Sequence, residues 1–148
     1  MSSNRDENPE RKVAILPRML EVANYGCLAP IDGAAGGTWM GLRNDGSVII
    51  LLNGAFSNHE RSSQYRKSRG LVVKELLHNQ NMAESFLQTD LWGIEPFSLV
   101  VYQQNVLKHL VWDGEQHHHT ALDSSRAHIW SSTTLYDAKV QEHRHEAF

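Results

Sequence analysis

Hydrophobic positions along the chain fall into short runs broken by glycine, proline and polar turns. Two apolar runs, residues 38–42 and 47–52, flank Arg43-Asn44-Asp45-Gly46. Asp-Gly between two such runs predicts a hairpin. The run Val48-Ile49-Ile50-Leu51-Leu52 is apolar on both faces, the pattern of a strand buried between two layers. A second hairpin is predicted from residues 97–102 and 106–112 around Gln103-Gln104-Asn105. Between the hairpins, residues 58–79 read as a helix. Tyr65, Val72 and Leu76 form its apolar stripe with Val73 and Leu77 beside them, and Ser57 or Asn58 would be its N-cap. Residues 83–87 read as a second, short helix.

The remaining pattern is weaker. Residues 12–16 read as a short strand closed by Pro17, and residues 18–24 as either a helix or a strand. Residues 25–37 contain four glycines and Pro30, which predicts a loop. Residues 127–131 read as one more strand, and residues 136–148 have a helical composition. Hairpin, helix, hairpin, helix in that order predicts an α+β domain with mostly antiparallel strands, its sheet covered on both faces, as a single domain over residues 1–148.

Composition narrows the function classes. At 148 residues with 41% hydrophobic and 21% charged side chains, the chain has ordinary globular usage and is long enough to bury a core without disulfides. The formal net charge of -3 argues against a nucleic-acid binder. The basic residues within 59–74 are interspersed with acids and read as the polar face of a helix. No apolar run approaches the roughly 20 residues of a membrane span, and the start Met-Ser-Ser-Asn-Arg-Asp-Glu has no signal-peptide character. A cytoplasmic protein is expected. The single cysteine, Cys27, excludes a disulfide framework and a multi-cysteine zinc site.

Several short motifs resemble one family when taken together and in order: Asn4-Arg5-Asp6-Glu7, Ala35-Gly36-Gly37-Thr38-Trp39-Met40-Gly41, Leu52-Asn53-Gly54, Ser68-Arg69-Gly70-Leu71-Val72, and Ile129-Trp130-Ser131-Ser132 followed by Leu135-Tyr136. The chain resembles the NRDE family, also called the transport and Golgi organisation 2 family. The resemblance implies an N-terminal-nucleophile (Ntn) hydrolase-like fold: helices, two stacked antiparallel sheets, helices. It also implies a linear-amide hydrolase chemistry, in which an N-terminal cysteine attacks a carbonyl and its own α-amine acts as base. By the same resemblance Asp6 would contact that amine, Asn53 would donate to the oxyanion, and Ser132 would support the site. Asn4, Arg5, Glu7, Gly36, Gly37, Trp39 and Arg69 would be its structural motif.

The chain departs from the family at the nucleophile. Only Met1-Ser2-Ser3 precede Asn4, so the expectation is a partial domain, a fragment or a start-shifted product, inactive as an amidase. Ser2 is too near Asn4 to replace the missing strand, since two residues span about 7 Å at full extension. Cys27 sits in a glycine-containing stretch and reads as a small buried hydrophobe. The alternative is a non-enzymatic role in trafficking or in binding a small amide or amphipathic ligand. An uncovered sheet edge is expected to drive homo-oligomer formation.

The other candidate groups have plain readings. The plain reading of Asp6 is an exposed loop carboxylate or a turn cap, and Asn53 could equally be a turn residue before Gly54. Arg69 on an apolar helix face needs an acid, expected to be Asp6 or Glu7. Gly36-Gly37 lacks the following Lys-Ser/Thr and the helix of a phosphate loop. His117-His118-His119 read as a solvated hairpin tip; even on a strand, where neighbours point to alternate faces, at most His117 and His119 could share an ion. His143 and His145 fall on different helix faces. Neither a metal nor a cofactor is expected.

Overall fold

The computed structural model describes residues 10, 12–22, 24–60, 62 and 64–134, with the side chains of residues 21 and 22 left aside. The architecture is α+β. Seven strands form one antiparallel sheet in sequential order: β1 (Ile15–Val22), β2 (Tyr25–Ile31), β3 (Met40–Arg43), β4 (Val48–Asn53), β5 (Phe97–Gln103), β6 (Val106–Trp112) and β7 (His117–Leu122). Two helices, α1 (Arg69–Leu77) and α2 (Met82–Gln88), interrupt the meander between β4 and β5.

The two expected hairpins are present, and their turns show why. Gln104 and Asn105 both have positive φ, 52° and 62°, the two-residue turn whose twist matches antiparallel strands. In the β3–β4 turn, Gly46 has φ 83° and the Asp45 carboxylate accepts from the Ser47 N–H at 2.9 Å, a side chain closing its own turn. Helix α2 is capped by Asn81, whose side chain accepts from Glu84 N.

Four expectations are corrected. Residues 25–31 are strand, not loop, and β1 runs through Pro17 instead of stopping there. Pro17 lies where the register shifts between Ile15 and Arg18, and Pro30 lies beyond the two-residue β2–β3 ladder of Cys27↔Arg43 and Leu28↔Leu42. Both prolines therefore sit where a ladder N–H is dispensable. The long helix over 58–79 shrinks to α1, with Ser68 as N-cap. The chain before it has no apolar residue between Phe56 and Tyr65 to bury. It is tied by local and cross-chain bonds instead: Ser62 N–H to Tyr65 Oη at 2.8 Å and Arg66 N–H to Gly93 O at 2.8 Å. Residues 127–131 are not a strand; the last strand is the histidine-rich β7, so His117-His118-His119 are strand and not a hairpin tip. Its register is set by β6, with Trp112 opposite His117 and Leu107 opposite Leu122. The helix expected over residues 136–148 lies outside the described residues.

Each face of the sheet carries its own apolar cluster. Alternate residues Cys27, Ala29, Ile49, Leu99, Val101 and Leu110 pack with Val72, Val73, Leu76 and Leu77 of α1 and Met82 and Phe86 of α2. The opposite face carries Ile50, Val100 and Leu107, with Met40, Val48, Leu52, Tyr102 and Trp130 against them. Strand β4 thus contacts both clusters, as its two-sided pattern predicts. It lies fourth of seven strands, so the edges of the sheet are β1 and β7. Among the described residues there is one sheet, with both helices on one face; the second sheet of the four-layer arrangement has no counterpart among them.

Candidate functional site

The sheet order brings the start of β3, the end of β4 and the start of β5 to one end of the molecule, because Met40 pairs with Ile50 and Asn53 with Phe97. Four of the sequence motifs meet there. The first meeting is between two backbones. Gly37 and Gly70 cross so closely that a Cβ on Gly37 would collide with the Gly70 carbonyl carbon and the Leu71 nitrogen. Thr38 N–H donates to Gly70 O at 3.0 Å, and Lys74 reaches back to Gly36 O at 3.2 Å. Trp39 O then accepts from Leu51 N–H at 2.8 Å. The two glycine motifs are thus one joint: they dock the start of α1 on the segment that enters β3.

The second meeting is between Asn53-Gly54 and residues 132–134. The Ser132 hydroxyl donates to Asn53 O at 2.8 Å and Thr133 N–H donates to the same oxygen at 3.2 Å. Gly54 has φ 84°, and a Cβ there would run into the Thr133 hydroxyl, so only glycine fits. The Ser98 hydroxyl donates to Gly54 O at 3.1 Å. Asn53 is therefore held by its backbone. Its side-chain amide has no hydrogen-bond partner among the described residues. Ser132 is 8% exposed and its hydroxyl is engaged in holding the turn.

Arg69 joins these two meetings. Its Nη1 donates to Pro96 O at 3.2 Å, the same oxygen that accepts from Gly54 N–H at 3.1 Å. Its Nη2 lies 3.1 Å from Glu95 Oε2, with both side chains mostly buried. His59 Nε2 lies 3.5 Å from the other Glu95 oxygen, and neither buried ring nitrogen of His59 makes a hydrogen bond. Arg69 is the first residue of α1, so it leaves the helix at its end and not from an apolar stripe running back to Tyr65. Asn4, Arg5, Asp6 and Glu7 lie outside the described residues, and so does the pairing expected between Arg69 and Asp6 or Glu7.

Sequence reasoning missed Glu95 and His59. Glu95 had a readable signal: it is the one charged residue in Leu91-Trp92-Gly93-Ile94-Glu95-Pro96-Phe97, a stretch otherwise fit for burial. His59 had none, because its place depends on the chain folding back from residue 54.

Cys27 is fully buried on the helix side of the sheet. Burial pushes its thiol up, outweighing the opposing pull of Arg43 and of the Leu42 backbone, and a thiol held protonated is a poor nucleophile. Arg43 beside it is buried too. It stacks on the Tyr25 ring at 3.3 Å, donates to Asn79 O at 2.8 Å and pairs with Asp45. The histidines of β7 are engaged separately. His118 bonds the Asp113 carboxylate at 2.6 Å, and His117 lies against Trp112 and Phe86 with Nε2 3.1 Å from Thr89 O. No group of three or more metal-ligating side chains occurs among the described residues. Among the same residues no helix is long and apolar enough to cross a membrane.

The family described as Transport and Golgi organisation 2 matches the chain over residues 1–147. No curated protein matches it.

Proposed function

The chain belongs to the Transport and Golgi organisation 2 family, and from that premise we propose that it is a cytoplasmic, Ntn-hydrolase-like domain that performs no thiol-dependent amide hydrolysis of its own. The observation that carries this reading is the state of Cys27. It is the one cysteine of the sequence; it is fully buried, and burial raises its thiol. The groups gathered at the end of the sheet act as supports. Gly37 and Gly70 dock the helix, Ser132 holds the Asn53 backbone, and Glu95 orients Arg69. Each is a means of fixing an oxyanion donor in place, and none is itself a nucleophile with a base beside it.

The Asn53 amide supports a second reading, the non-enzymatic one. Its backbone is fixed by two hydrogen bonds while its side chain lacks a partner among the described residues. Such an amide is pre-organised to bond a carbonyl of a small amide or amphipathic ligand.

Turnover of penicillin V and of a conjugated bile acid tests the first reading. The expected result is release no faster than in buffer. Turnover that Ser2→Ala or Cys27→Ala abolishes would overturn it, because the chain would then supply a nucleophile of its own.

A further inference from the structure

After β7 the chain turns back over the sheet face away from the helices and finishes on the Asn53–Gly54 turn. The start of this strap is closed on itself. The Asp123 carboxylate accepts from the Ser125 N–H at 2.9 Å and from its hydroxyl at 2.6 Å, and His128 Nε2 lies 2.8 Å from Asp123 O. Its finish is tied down by the Ser132 hydroxyl and the Thr133 N–H, both on Asn53 O. Between the two, among the described residues, the backbone of residues 127–131 makes no hydrogen bond. The Trp130 side chain anchors that middle stretch, packed into the cluster of Ile50, Val100 and Leu107.

The anchor rests on an imidazole. The His109 ring of β6 lies 6.0 Å from the Trp130 ring, tilted by 45°, and His128 stacks on the same indole at 5.6 Å. On β5 His109 faces Val100 with Tyr102 diagonal to it, and on β7 it faces Thr120 with His118 diagonal to it. Both helices pack on the other side of the sheet. The titratable groups around His109 are thus Tyr102, His118 and His128, and none of them is a carboxylate. The Tyr102 hydroxyl donates to Asn105, and His118 already holds Asp113. The charged residues of the strap, Asp123 and Arg126, are exposed.

We propose that residues 127–134 are an acid-released strap: neutral His109 seats Trp130, and a proton on His109 unseats it and loosens the ties on Asn53 O. A charge on His109 loses water beneath the indole and gains no counter-ion there. An indole face attracts a cation, but about 6 Å is the outer limit of that contact, and the tilt weakens it further. Burial accordingly pushes His109 down. A group that takes up its proton more readily when uncovered favours the uncovered state as pH falls. The opening is local, because one side chain and no backbone bond holds the middle of the strap. It reaches the Asn53–Gly54 turn because Ser132 and Thr133 follow Trp130 directly along the strap.

Amide exchange of the full chain, followed by NMR at about pH 7.5 and about pH 5 and corrected for intrinsic rates, tests this. The reporter is the Thr133 N–H, and the buried Leu99 N–H in mid-sheet is the reference. The expected result is a loss of Thr133 protection of about fivefold or more in acid, with Leu99 the better protected throughout. His109→Gln, neutral at both pH values, should abolish that loss. Trp130→Ala should leave Thr133 weakly protected at both pH values, and it carries the test if circular dichroism shows His109→Gln unfolded. Thr133 protection independent of pH overturns the proposal, and so does an acid loss that survives either variant. Thr133 exchanging no faster than Leu99 overturns it as well, since the strap would then open only with the whole sheet.

Discussion

At the scale of single residues, the end of the sheet is held by groups whose substitution has calculable effects. Arg69 and Glu95 form an ion pair with little exposure on either side. Removing one partner of such a pair leaves a buried charge and costs about 3–5 kcal/mol. Glu95→Ala should therefore lower the stability measured by urea denaturation by about 3 kcal/mol, and Arg69→Met with Glu95→Leu should recover most of that loss. Asn53→Ala should change stability by less than about 0.5 kcal/mol, because among the described residues only the backbone of Asn53 is engaged. Ser132→Ala should cost about 1 kcal/mol for the lost hydroxyl bond. The pair separates a side chain that makes no bond among the described residues from one that holds a turn. Asn53, Ser132 and Arg69 could be singled out in the sequence because each sits in a short motif, and the fold brings them to one end of the sheet. Glu95 was legible only as an isolated acid in a buried stretch, and the Arg69–Glu95 contact spans 26 positions of sequence that no local pattern encodes.

At the scale of elements, the hairpins were readable, strand β1 was readable only in part and broken at Pro17, and β2 and β7 were not readable. A hairpin is encoded in its turn: Gly46, Gln104 and Asn105 adopt positive φ, and the residues that tolerate it mark the place. Strands β1 and β2 carry prolines that local rules read as breaks, and their pairing simply accommodates them at a bulge and past a ladder's end. Strand β7 is strand because β6 offers it an edge, not because His117-His118-His119 has β propensity. Tertiary pairing overrides propensity there.

The turns also set the response to acid. Burial pushes the Asp45 carboxyl up, but the Ser47 N–H and hydroxyl and the Arg43 guanidinium outweigh it and hold the group below the usual carboxylate range. Asp113 behaves alike: burial raises it, and the Gln116 N–H, His118 and the Glu115 N–H bring it down. A depressed carboxyl contributes stability above its unfolded pKa of about 3.9 and loses it as pH falls through the folded value. Burial beneath Trp130 pushes His109 down. Its contribution is whole above the unfolded value of about 6.5 and is lost as pH falls through the folded one. Urea midpoints measured from pH 8 to pH 3 should therefore decline in two stages, one beginning below about pH 6.5 and one below about pH 4. His109→Leu should flatten the first stage, and Asp45→Asn with Asp113→Asn the second.

At the scale of the whole molecule, the family's motifs form a scaffold. The two glycine motifs make one close crossing, Asn53-Gly54 and Ser132 make one turn lock, and Arg69 ties both to the start of β5. Gly37→Ala should cost about 1–3 kcal/mol, as overpacking does, since its Cβ would meet backbone and not a movable side chain. The α+β class was legible from the order of runs. The placement of both helices on one face was not, because nothing local states which face of a strand a distant helix will cover.

The central claim is that this scaffold presents no working thiol, and alkylation of Cys27 in the native protein tests it most directly. Iodoacetamide at neutral pH, followed by intact-mass measurement over time, should leave the folded chain unmodified. The same chain in concentrated urea should gain one adduct within minutes. Modification of the folded chain at the rate seen in urea would contradict the account, because Cys27 would then be exposed and reactive and could serve as the nucleophile.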